Sequence, residues 1–104
     1  MKLTIIPSDN TVYVDNFSIS NLDLSFVPSD VHALQWKNDL GWIEYIENDD
    51  FTKPQNEVIN ELPTWANGAY NAWVTKKAEI DAAAAAAAAK AALRQPTTTG
   101  TQTI

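Results

Sequence analysis

The sequence predicts an α+β chain: a small antiparallel β head over residues 1–62, one long alanine-rich α-helix over 63–95, and an extended polar tail over 96–104. Three observations carry this prediction. Short runs of strand-forming residues, separated by turn residues, fill the first sixty positions. From Pro63 to Gln95 only Gly68 weakens a helix. After Pro96, the run Thr97 to Ile104 has no core-forming pattern.

Leu3-Thr4-Ile5-Ile6 is the first β-favouring run, closed by Pro7. Ser8-Asp9-Asn10 supplies turn chemistry before Thr11-Val12-Tyr13-Val14, so the pair reads as a hairpin. Phe17 to Ser20 and Leu22 to Phe26 alternate apolar and polar residues, the pattern of strands with one wet face, and Pro28-Ser29-Asp30 ends them. Val31 to Trp36 and Trp42 to Ile46 are rich in strand formers and lie five residues apart, with Gly41 available for a positive φ. A symmetric loop would set Trp36 opposite Trp42, a cross-strand pair contributing about 0.2–1 kcal/mol. Glu47 to Asn56 is a polar loop containing Pro54, and Glu57 to Asn60 reads as a last short strand.

Pro63 suits a first helical position, where its missing N–H would be unpaired in any case. A helix from 63 to 95 would run roughly 50 Å at about 1.5 Å per residue, longer than the expected width of the head. Trp65, Ala69, Ala72, Trp73 and Ile80 fall within an arc of about 100°, the width of a packed stripe. Lys76 sits in the middle of that arc, which argues against a fully dry seam there unless its stem snorkels past the indoles. Ala82 to Ala89 are eight consecutive alanines: they favour helix strongly, yet offer almost no side chain to bury against the head. Partner contact is therefore the expected fate of this segment, because no large residue remains to cover it.

Net charge is −6. Residues 1–62 carry three Lys/Arg against eleven Asp/Glu, whereas residues 63–104 carry four against two. Phosphate recognition needs clustered cations, so nucleic acid is not an expected partner. The absence of cysteine excludes disulfides, thiolate metal sites and thiol catalysis. Met1 to Pro7 is far shorter than a signal-peptide core, and no later run suits a membrane span, which leads us to expect a product of the cytoplasm.

Chemistry finds little support in the pattern. His32 is the only histidine, with no nucleophile at a telling spacing, and reads as a partly buried structural residue. Glu47-Asn48-Asp49-Asp50 lacks the spaced ligands and glycine of a calcium loop and reads as a solvated acidic turn. The acids fall mainly in turns and on wet faces, and the three glycines stand too far apart to cradle a phosphate. We therefore expect no enzyme, no catalytic residues, no cofactor and no metal. Trp36, Trp42 and Tyr45 are expected in the core of the head, with Trp65 and Trp73 packing the first turns of the helix onto it.

The segment Val31-His32-Ala33-Leu34-Gln35-Trp36, followed by Gly41-Trp42-Ile43-Glu44-Tyr45, resembles a hairpin of small proteins of tailed bacteriophages associated with tail, fibre or baseplate. The resemblance spans residues 28–75 and carries no catalytic residue. It implies a virion component, made in the host cytoplasm, that joins or decorates tail, fibre or baseplate proteins; the alternative is a tail-fibre assembly chaperone that leaves the finished particle. A small hydrolase has no supporting constellation. The expected partner-binding residues are Trp65, Trp73, Ile80, Ala82, Ala86, Ala89, Leu93, Thr98 and Ile104. Homo-oligomerisation through the helix is also open, although the Leu or Ile heptad of a strong bundle is missing. The threonine-rich tail suits strand addition onto a partner.

Overall fold

The computed structural model describes the backbone of residues 1–99 and the side chains of residues 1–91. Six strands, β1 (Lys2–Ile6), β2 (Thr11–Val14), β3 (Phe17–Ile19), β4 (Val31–Lys37), β5 (Leu40–Tyr45) and β6 (Glu57–Ile59), form one antiparallel sheet, and α1 (Thr64–Thr99) follows. The α+β order expected from the sequence is the one observed. The spatial order β3-β2-β1-β4-β5-β6 places the first strand in the middle, where it pairs with both β2 and β4.

Alternation along the strands sorts the side chains between two faces. Leu3, Ile5, Val12, Val14, Leu34, Trp36 and Ile43 point to one face and are buried there, with Leu3, Ile5, Val12 and Leu34 fully closed off from solvent. Tyr13, Thr4, Gln35, Trp42 and Val58 form a register row on the other face. Nothing of the described chain covers that row.

The first hairpin turns through a short 3-10 segment, Pro7–Asp9, closed by Asn10 in the left-handed region (φ 50°). Asparagine tolerates that backbone because its short side chain bonds locally. The next expected strand, Leu22 to Phe26, is not one. Asn21 takes φ 61° and turns the chain out of the sheet, and Asp23 then accepts a hydrogen bond from the Ser25 amide at 3.0 Å. Leu22, Leu24 and Val27 nonetheless bury their side chains in the core. The alternation marked Leu22 and Leu24 for burial, which a coil satisfies here, but Phe26 is exposed.

The β4–β5 hairpin forms where expected with a tighter turn. Lys37 pairs with Leu40, so Asn38-Asp39 alone make the turn, and Asn38, not Gly41, adopts the positive φ (59°). Trp36 consequently lies opposite Gly41, and Trp42 opposite Gln35. The two indoles therefore sit on opposite faces: Trp36 is buried, whereas Trp42 is 42% exposed and donates from Nε1 to Glu44 Oε2 at 2.9 Å. A one-residue change of register inverts every side chain, which is why Trp42 leaves the expected core. Gly41 is needed for space: a Cβ there would overlap the Gln35 carbonyl oxygen and lie 2.9 Å from Trp36 Cα. His32 sits at an irregularity between Val31 and Ala33 and is exposed, where partial burial was expected.

The helix starts one residue after Pro63, whose carbonyl accepts from the amides of Ala66 (2.9 Å) and Asn67 (3.2 Å). It packs across β2, β1 and β3. Ala66 and Ala69 are fully buried because a methyl group lets the helix approach the sheet closely. The helix bounds extend to Thr99, beyond the expected end at Gln95 and past Pro96. A proline there removes one backbone hydrogen bond but keeps a helix-compatible φ. Positions 100–104 of the expected tail lie outside the described residues.

Candidate partner-binding surfaces

The anchoring of the helix decides what it leaves free. Trp73 Nε1 donates to the Phe17 carbonyl oxygen at 3.0 Å, occupying an acceptor on the edge strand β3. Its ring meets Phe17 edge-on at 6.1 Å and stacks on Tyr70 at 6.4 Å. Lys77, one residue beyond the lysine expected in the stripe, places Nζ 4.8 Å from the Phe17 ring centroid and 2.7 Å from Asp81 Oδ1. Lys76 is exposed and faces Glu79 at 3.6 Å. Lys77 therefore closes the contact between helix and head.

Every described side chain from Ala78 to Ala91 is exposed. Ile80, expected in the packed stripe, is 38% exposed beyond the last contact with the head. Of the expected partner-binding residues, Trp65 and Trp73 lie half-buried against the chain's own core, while Ile80, Ala82, Ala86 and Ala89 project into solvent. Leu93 and Thr98 fall in the helical backbone, but their side chains, like all of Ile104, lie outside the described residues. The stripe thus divides into an inner half that holds the helix and an outer half whose described side chains are exposed.

A second surface was not expected from the sequence. Because α1 packs mainly across β2, β1 and β3, the inner face of the sheet near β5 and β6 is left partly open beside the first turn of the helix. A groove of about 470 Å³ opens there. Val31, Ile43, Ile59 and Leu62 give it an apolar lining, Tyr45 and Trp65 add aromatic walls, and Asp30, Glu57 and Glu61 supply carboxylates. Register assembles it: Val31 pairs with Tyr45 and Ile43 with Glu57. The only hint in the sequence is Tyr45, two residues after Ile43 and therefore on the same face.

The Tyr45 hydroxyl donates to Glu57 Oε1. That bond, with some burial and the negative charges of Glu57 and Asp30, pushes the phenol up to about 12. A pKa raised by folding contributes stability that is complete below the unfolded value and disappears as pH climbs through the folded one. Urea midpoints should therefore fall between pH 10.0 and about 12, and Tyr45→Phe should remove the part of that fall owed to this group.

No group of three or more metal-ligating side chains clusters among the described residues. No described helix is long and apolar enough to cross a membrane. No family model, no curated protein and no solved structure matches the chain.

Proposed function

We propose that the chain is a non-enzymatic adaptor of a tailed-bacteriophage particle, joining or decorating tail, fibre or baseplate proteins through its C-terminal helix. One observation carries the adaptor reading: beyond Lys77 every described side chain of the helix, from Ala78 to Ala91, is exposed over fourteen residues. An alanine surface costs little side-chain entropy to cover and lets another backbone approach closely. The head holds the base of the helix and leaves its far part presented for a partner. The phage setting rests on the resemblance of the Val31–Trp36 and Gly41–Tyr45 segments to tail-associated proteins, which implies a chain carried in the virion.

Truncation after Asp81 tests the division of labour. The shortened chain should keep the denaturation midpoint of the full one, because residues 82–91 make no contact with the head, and it should lose incorporation into particles. Purified particles should contain the full chain at fixed copy number. Recovery only from unassembled fibres would instead support an assembly chaperone, and a large loss of head stability on truncation would remove the basis of the adaptor reading.

A further inference from the structure

The groove beneath β5 and β6 is separate from the free part of the helix, and its chemistry is more selective. Its apolar lining suits a chain of methylenes or a flat delocalised group. Its three carboxylates, Asp30, Glu57 and Glu61, face that space with no Lys or Arg among the lining residues. Glu57 accepts from Tyr45, whereas Asp30 and Glu61 have no side-chain hydrogen bond or ion pair among the described residues. An anionic occupant would be repelled by these carboxylates and by the excess of eleven acidic over three basic residues in the head. A neutral apolar occupant would desolvate carboxylates without replacing their lost hydration.

We propose that this groove binds an arginine or lysine side chain presented by a basic segment of another protein. The methylene stem lies along Val31, Ile43, Ile59 and Leu62, as amphipathic cations bury their stems elsewhere. The charged end reaches Asp30 and Glu61, where charge-assisted hydrogen bonds are strongest. Trp65 adds an electron-rich ring to the wall, the surface to which such cations are attracted. Charge complementarity selects the occupant, and the apolar lining separates the groove from an ordinary solvated acidic patch.

The test titrates the full-length chain with N-acetyl-arginine-N-methylamide and with its neutral citrulline counterpart, following the Trp65 indole N–H and the methyl groups of Ile43 and Ile59 by NMR. The arginine probe should shift these resonances saturably and bind about tenfold more tightly than citrulline, the ratio set by one favourable charged contact. Added salt should weaken it, because the carboxylates stand at the rim. The double substitution Asp30→Asn, Glu61→Gln should abolish the preference while the remaining spectrum keeps its native dispersion. Equal response to both probes, or shifts away from the groove, would overturn the proposal. So would concentration-dependent shifts of the same resonances without any probe, which would identify a second copy as the occupant. None of these outcomes depends on the helix beyond Lys77, so the adaptor reading stands or falls separately.

Discussion

Leu34→Ala is expected to lower the free energy of unfolding by about 2–5 kcal/mol, the range for removing a large aliphatic side chain from a filled core. Leu34 lies on β4, between Ile5 on β1 and Ile43 on β5, and is completely buried. Its neighbours belong to the three central strands, whose backbones are held by hydrogen bonds on both sides and can collapse little into the space. A domain of this size commonly has about 5–15 kcal/mol in total, so the variant should lose a large part of its stability. Urea denaturation followed by tryptophan fluorescence measures the loss. A change below about 1 kcal/mol, the level of an ordinary surface substitution or less, would mean that the core is not organised around β4.

Gly41→Ala is expected to be comparably damaging for the opposite reason. Here a methyl group is added where the β4–β5 pairing leaves no room, since the new Cβ would overlap the Gln35 carbonyl oxygen and press on Trp36 Cα. Both obstacles include backbone, so strands must part instead of a side chain rotating away. Overpacking of this kind costs about 1–3 kcal/mol and occasionally more. Faster amide exchange at Trp36 and Ile43 should accompany the loss. The same replacement at Gly68 should behave differently. Its new methyl would meet the rim of the Phe26 ring at 3.0 Å, and that ring is exposed and free to turn. The helix gains roughly 0.5–1 kcal/mol from replacing an interior glycine, so Gly68→Ala should be neutral or mildly stabilising. If the two variants lost equal stability, the structural account of Gly41 would be wrong.

The helix base and the groove follow from the same packing decision. Ala66 and Ala69 let α1 settle on β1, β2 and β3, and the side chains of Trp73 and Lys77 seal its contact with Phe17. With the helix committed to that half of the sheet, β5 and β6 keep part of their inner face open. The groove is therefore a product of where the helix crosses, not of any local motif. Its three carboxylates come from positions 30, 57 and 61, and no spacing rule joins them in advance.

Local chemistry was legible wherever one dominant preference acted on neighbouring residues. The alanine run and a stretch from Thr64 to Gln95 weakened only by Gly68 were sufficient for the long helix, and the turn residues around 8–10 and 37–41 marked both hairpins. Trp36 was expected in the core and is buried there. Tertiary structure decided the rest. Whether Leu22 to Leu24 became strand or coil depended on Asn21 turning away from the sheet, since either conformation can bury both leucines. Trp42 faced solvent because a two-residue turn shifted the pairing of β4 with β5, and a one-residue difference reverses every side chain. Lys77 took the place expected for Lys76 because the crossing angle of the helix, which belongs to the contact between layers, chose the buried stripe. Hydrophobic pattern states what must be covered; only the geometry of the assembled layers decides what covers it and what remains open.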